Sequence, residues 1–270
     1  MKIRQQLTKR DQLIKVLMVL NTRMHLKTIQ ASAFKAIFEV LKDIINDVNV
    51  YFTADGVRIL TIDTAHVTLV HMNLAAENFE EYDCDMDIIA GLNMANMYKL
   101  LKSVSGQDTL TIDIEGRDVM EIRIENSTKK SATNFKLKLL DINEDILEVP
   151  DIHMDVVTTM PSIDFQKISR DMGNLSNEMS IIRDGNILEL SCKGDFADQL
   201  TRIEYPESVS RTGNVFSLKY INMYTKATGM CSSVQILQDS TSSEMPVIFR
   251  YTIANLGDLK FYLAPKLDDK

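Results

Sequence analysis

Residues 96–103 read NMYKLLKS, and the first three letters return at Asn222-Met223-Tyr224 inside INMYTKATG (221–229), 126 residues further on. Three shared letters decide little alone, so the surroundings matter. Ahead of the first copy, Phe34, Ile37, Phe38, Leu41, Ile44, Ile45 and Val48 recur at the spacing of one helix face. VNVYFTADGVRILTI (48–62) then reads as strand, tight turn at Asp55-Gly56, strand. Ahead of the second copy, SIDFQKISRDMGNLSNEMSIIRDGNILELSC (162–192) reads as helix, strand, Asp184-Gly185 turn and strand. The two Asp-Gly pairs are 129 residues apart. Two matched elements in one order at nearly one spacing point to a tandem duplication.

The remaining pattern is strand. TLTIDIE (109–115) and VMEIRIE (119–125) alternate apolar and charged residues, as half-buried antiparallel strands do, and FKLKLLDI (135–142) and PVIFRYTI (246–253) read likewise. Each half is therefore expected to be a sheet with one apolar face covered by two helices, an α+β fold. Between the halves, LLDINEDILEVPDIHM (139–154) has acids, Pro150 and no period, and reads as an extended linker. Its Ile142, Ile146, Leu147 and Val149 either tack it onto a core or form a wall of a partner groove. The expected organisation is an extension over 1–23, a first domain over 24–138, a linker over 139–156 and a second domain over 157–270. The extension reads as dispensable or an upstream start, with a targeting or partner-binding helix as the alternative.

The chain has 270 residues, 45% hydrophobic and 25% charged, with a net charge of −8. That is an ordinary globular composition, long enough for two cores, and its acidity argues against nucleic acid when taken as an average. The first 23 residues carry six Lys/Arg against one acid, leaving −13 for the rest. Cys84, Cys192 and Cys231 show no metal-site or paired spacing, so a reduced intracellular protein is expected. No apolar run reaches the roughly 20 residues of a membrane span.

The cations, however, are not scattered. Each of the four expected helices carries two at spacings of three or seven, which keep both on one face: Lys35 and Lys42, Lys99 and Lys102, Lys167 and Arg170, Lys219 and Lys226. If the helices lie side by side, eight cations line one surface of an otherwise acidic protein. Such a surface holds a phosphate backbone without reading bases. There is no helix-turn-helix, zinc finger or paired-aromatic RNA motif beside it.

Six blocks in order, FTADGVRILTIDTAHVTLV, LNMANMYKLLKS, KLLDINEDILEVP, MPSIDFQKISRDM, FSLKYINMYTKAT and YTIANLGDLKFYLAPK, give the chain a close resemblance to the eukaryotic-type DNA sliding clamps, the proliferating cell nuclear antigen family. The resemblance runs from about residue 24 to 267. It implies a ring of three two-domain chains, sheets outside and two helices per domain around a central channel holding duplex DNA. The eight cations named above fall where the family places basic channel residues. It also implies a groove that docks a Gln-aliphatic-aromatic-aromatic motif of polymerases, clamp loaders, ligases and nucleases. One wall would be Leu147, Val149 and Pro150, and another Ile62, Asp63, Thr64, Ala65, His66 and Val67. The floor and far side would be Ser217, Pro246, Tyr262, Leu263, Ala264 and Pro265. The implied role is a polymerase processivity factor in replication and repair, without cofactor, metal or catalytic residue. It would work in a nucleus if cellular, or at a cytoplasmic or nuclear replication site if viral.

Two departures stand out. Arg183 occupies the position at which family members related to the human protein carry a lysine that receives ubiquitin-like modifiers, and an arginine cannot form that isopeptide bond. IEYPESVSRTGNVFSLKY (203–220) is about a dozen residues short of the family pattern, which predicts an edge strand of the second sheet that is reduced or lost.

The rival readings are a specialised clamp-like subunit of a checkpoint-type hetero-ring or altered oligomer, and, remotely, an aspartic protease. ILTIDTAHV (59–67) has the shape of a protease turn around Asp63, echoed by DIIAGLN (87–93), but Ala65 stands where glycine is usual and the second half has no matching turn. Asp83, Asp85 and Asp87 alternate as in a calcium loop, yet Ile88 and Met94 fill the positions of its glycine and glutamate. His25, His66, His71 and His153 offer no metal pair at helical spacing, and no phosphate loop or nucleophile elbow occurs.

Overall fold

A computed structural model describes residues 23–116, 118–144, 147–149, 152–242 and 244–266. The extension up to residue 22 lies outside the described residues, and Arg23 is already the first residue of a strand. The first half runs β1 (Arg23–Thr28), α1 (Ala31–Leu41), β2 (Asp47–Thr53), β3 (Gly56–Ile62), β4 (Thr68–Ala75), β5 (Glu81–Cys84), β6 (Ile88–Asn93), α2 (Met94–Leu101), β7 (Asp108–Glu115), β8 (Val119–Asn126) and β9 (Ser131–Lys138). The second half runs β10 (Val156–Pro161), α3 (Ser162–Gly173), β11 (Glu178–Lys193), β12 (Asp198–Ser217), α4 (Leu218–Tyr224), β13 (Ser233–Gln238), β14 (Val247–Ile253) and β15 (Gly257–Leu263). Every strand pair is antiparallel, giving an α+β fold with two helices per half. Among the described residues no helix is long and apolar enough to cross a membrane.

The sheets do not divide as the halves do. β5-β1-β7-β8-β9 form one sheet, and β11-β12 form a long two-stranded ribbon. The remaining strands join as β10-β13-β14-β15-β4-β3-β2-β6. The joint is β15 on β4, from Gly257 opposite Leu74 to Leu263 opposite Thr68. The expectation of one sheet per half is therefore corrected. Each half leaves an edge of unpaired backbone groups, and the two edges satisfy each other.

The helices follow from their apolar stripes. In α1, Phe34, Ile37, Phe38 and Leu41 are buried, and Phe34 meets Phe38 and Phe79 at ring-centroid distances of 5.9 and 6.4 Å. The helix is shorter than its stripe: it ends at Leu41, and Val48 is buried from β2 instead. In the second half Tyr224 stacks on Phe261 at 4.3 Å, and Phe165 on Phe249 at 5.5 Å. α1 packs on α2, α3 on α4, and the short 3-10 turn Thr225–Gly229 lies against α1, so the helices of both halves form one layer.

The duplication is visible in burial, although the repeated letters mark it inexactly. In α2 the buried residues are Met94, Met97 and Leu101; their counterparts by position are Leu218, Ile221 and Thr225, all buried and 124 residues on. Asn-Met-Tyr is 126 apart, so the tripeptides are out of phase by two residues. Met97 is buried where Met223 is half-buried, and Tyr98 is half-buried where Tyr224 is buried. The helices correspond; the letters do not.

The other marker also changes meaning. Asp55-Gly56 turns β2 into β3 as expected. Asp184-Gly185 does not separate two assigned strands: β11 continues through it, with Gly185 at φ 55° and the register against β12 shifting on either side. The shift flips the buried face from Met179, Ile181 and Arg183 to Leu188, Leu190 and Cys192, the signature of a bulge. The shortened stretch runs on as the 20-residue β12, paired only with β11, and β10 ends its sheet where its first-half counterpart β1 is flanked by β5, so among the described residues the second half lacks that edge strand, as expected.

Candidate nucleic-acid interface and partner groove

The helix layer sorts the eight cations into two groups. Lys99, Lys102, Lys167, Arg170 and Lys219 are exposed. Lys99 Nζ donates to Asn96 Oδ1 at 3.2 Å, and Lys219 Nζ lies 5.8 Å from the Tyr220 ring centre. The other three are engaged. Lys35 Nζ donates to the Val104 carbonyl at 3.0 Å. Lys42 pairs with Asp43 at 3.0 Å and lies 5.1 Å over the Tyr98 ring. Lys226, from the second half, pairs with the same Asp43 at 2.6 Å. Burial opposes the charge on Asp43, yet the bonds from Lys226 and Lys42 hold its carboxyl below the ordinary value. Asp43 was not anticipated: an acid beside Lys42 reads as a local pair, and nothing in sequence says that a lysine 183 residues away shares it. Glu39, Asp164 and Asp171 are exposed on the same helices, so the layer is basic with acidic interruptions.

Of the candidate groove residues, those of the 62–67 loop and of β15 with the chain after it come together at the joint between the halves. Ile62 ends β3 with 36% of its surface exposed, and residues 63–67 connect to β4. Thr64, Ala65 and His66 point outward, Val67 is half-buried, and His66 holds φ 55°. Asp63 is only 6% exposed. Its Oδ1 accepts from the Val67 and Thr68 amides at 2.8 and 2.9 Å, and its Oδ2 from the Ala65 amide at 3.2 Å and the Tyr220 hydroxyl at 2.6 Å. Burial would raise the Asp63 carboxyl, but the Tyr220 hydroxyl and the amides bring it below the ordinary range. The side-chain partners of Asp63 are three amides and a hydroxyl, not a second carboxyl, so the pair of acids that the protease reading needs is not assembled around it.

The Ala264 amide donates to the Val67 carbonyl at 3.1 Å, which brings the chain after β15 onto this loop. Leu263 also pairs with Val247, which follows Pro246, and the Lys266 amide bonds the Val215 carbonyl at 2.9 Å near Ser217. Ala264 is exposed, and Ser217, Pro246 and Pro265 are half-buried. Tyr262 and Leu263 are buried, so they underlie the surface. The linker is fastened at its start by the Leu139 amide to Asp118, the Leu140 amide to Gly91 and Asn49 Nδ2 to Ile142, at 2.9, 2.8 and 3.1 Å. At its other end the Ser240 amide donates to Asp155 at 2.8 Å. Between these points Leu147 is half-buried and Val149 is 39% exposed; Ile146 and Pro150 lie outside the described residues.

Arg183 is 3% exposed. Its guanidinium donates to the carbonyls of Gly185 and Glu207 and lies 4.9 Å from the Tyr205 ring centre. It closes the bulge in the β11-β12 ribbon, a task for a planar fork of donors.

Residues 23–147 match the family model for the proliferating cell nuclear antigen N-terminal domain, and residues 148–266 match that for the C-terminal domain. The chain is 37% identical over 261 residues to a probable DNA polymerase sliding clamp 1 of Paramecium bursaria Chlorella virus 1, covering 92% of this chain and 98% of that protein.

Proposed function

Because this chain belongs to the proliferating cell nuclear antigen family of sliding clamps, we propose that it works as a homotrimeric ring that encircles duplex DNA and confers processivity on a DNA polymerase. It is a scaffold and not a catalyst in this reading. The helix layer faces the DNA, and the groove at the joint tethers polymerase, clamp loader, and ligase or nuclease through a Gln-aliphatic-aromatic-aromatic motif. The chain would act at the site of DNA replication, a nucleus or a viral replication site in nucleus or cytoplasm.

The observation that carries this reading is the single helix layer spanning both halves, with cations exposed from α2, α3 and α4. Exposed lysines on separate faces would be ordinary solvation. Gathered on one layer of an acidic protein, they suit a sequence-blind phosphate contact. The ring is supported by β9 and the 198–204 part of β12, which end their sheets without a further strand among the described residues. Such edges invite another copy, and a head-to-tail contact between two different edges gives a ring when the rotation between copies closes. Native mass spectrometry is expected to give three chains, and primer extension on a circular template with the matching loader and polymerase is expected to give longer products. A monomer at micromolar concentration, or products of unchanged length, would refute the proposal. A mixed ring with related chains would indicate the specialised-subunit alternative.

A further inference from the structure

The loop between β3 and β4 has a conformation that requires an explanation. His66 holds φ 55°, which a non-glycine residue adopts at a cost of about 1 kcal/mol or more. Three residues in a row, Thr64, Ala65 and His66, are exposed and contribute little packing. What fixes the loop is Asp63. An ionised carboxylate has about four acceptor positions, and here the donors are the amides of Ala65, Val67 and Thr68 and the Tyr220 hydroxyl. The Asp63 amide and carbonyl also close the loop, to the Thr68 carbonyl and His66 amide at 2.9 Å each. Two of the four side-chain partners, Ala65 and Val67, lie in the loop, Thr68 opens β4, and the fourth belongs to α4 of the other half.

We propose that Asp63 and Tyr220 are a positioning pair: the shared hydrogen bond sets the loop 63–67 against α4 in the shape that receives a partner peptide. This deepens the groove reading above and rests on it. The pair touches no peptide itself, because Asp63 is buried beneath the exposed loop residues. Its effect is preorganisation, which lowers the ordering cost paid on binding. Burial pushes the Tyr220 hydroxyl up to about 12, with the Asp63 carboxylate adding to the effect, so it remains a donor at any working pH. The other titratable or charged groups around the pair are His66 in the loop, Tyr224 one turn along α4, and Lys219 over the Tyr220 ring.

The test is Tyr220→Phe, which removes one donor and keeps the ring. A Gln-aliphatic-aromatic-aromatic peptide is titrated by calorimetry against both chains, and the comparison is made at each pH, so that any group common to both cancels. Loss of a hydrogen bond to a charged group predicts about ten-fold weaker binding. The pH profile distinguishes positioning from general damage. In the unaltered pair the carboxyl is lowered, so its contribution is complete above the ordinary carboxylate range and fades only as pH falls through the lowered value. Without Tyr220 the carboxyl rises, so binding should begin to fail at a higher pH. Unchanged affinity, or a loss of equal size at every pH, overturns the proposal. If the unaltered chain binds no peptide, the groove reading fails separately, and amide exchange at Ala65, Val67 and Thr68 decides this one: faster exchange in Tyr220→Phe supports it, and equal exchange overturns it.

Discussion

Arg183 and Asp43 each solve a local problem with a charge, and each makes a testable claim. Arg183 is buried with two backbone carbonyls as acceptors. Arg183→Ala leaves both acceptors unsatisfied and removes the face packed on Tyr205. That should cost roughly 2 kcal/mol or more, read as a lower urea midpoint with an unchanged slope. A lysine there cannot fork to both carbonyls, so Arg183→Lys should recover only part. Asp43 lies between Lys42 and Lys226 and joins the halves. Its carboxyl is lowered, so the stability it adds is present above about pH 4, its value in the unfolded chain. That stability is lost as pH falls through the lower folded value. At low salt, Asp43→Asn should melt below the unaltered chain at neutral pH, and the gap should close on acidification. A gap that persists well below the ordinary carboxylate range would mean that the charge is not its source.

At the scale of elements, the joint and the linker carry the predictions. Gly257 opposes Leu74 at the start of the β15-β4 pairing. A Cβ built there would lie 1.9 Å from the Asn73 carbonyl oxygen, a backbone atom that cannot step aside cheaply. Gly257→Ala should therefore loosen the joint, seen as faster amide exchange along β4 and β15. Leu147→Ser with Val149→Ser should weaken peptide binding, each losing about 1–2 kcal/mol of apolar contact, while melting is unchanged because neither residue belongs to the core. Unaltered peptide affinity would leave the linker a purely structural tether. These elements also show what was legible beforehand. β7, β8 and β14 were readable because one buried face imposes a period of two, and α1 because its stripe imposes 3.6. The β15-β4 pairing was not, since edge strands on two halves look like any other edges until they meet. The groove loop was placed by resemblance, but the Asp63–Tyr220 bond joins residues 157 apart and leaves no local pattern. Asp184-Gly185 misled because the same dipeptide serves a turn and a bulge: both need a residue at positive φ, and only the partner strand decides which forms.

For the whole molecule, the question is how an acidic protein stays on DNA. Net charge is −8, and of the eight candidate cations Lys42 and Lys226 are ion-paired with Asp43 and Lys35 is bonded to the Val104 carbonyl. The other five, all exposed, stand among Glu39, Asp164 and Asp171. Contact alone should therefore be weak, and the counterions released at each phosphate contact would make it steeply salt-dependent. A closed ring is different, since linkage and not contact energy holds it. Once loaded onto a nicked circle by the matching loader, the protein should survive a high-salt wash, and a single cut of the circle should release it from the ends. Charge reversal at Lys99 and Lys219 should slow loading and leave the three-chain assembly intact, because both lie on the helix layer and not on β9 or the 198–204 part of β12. Lys226→Glu should do something else: it would set a negative charge against Asp43 and strain the joint between halves, lowering the melting point as well as loading. If loaded protein leaves intact circles as fast as it leaves linear DNA, retention is by contact, and the ring is not what holds it.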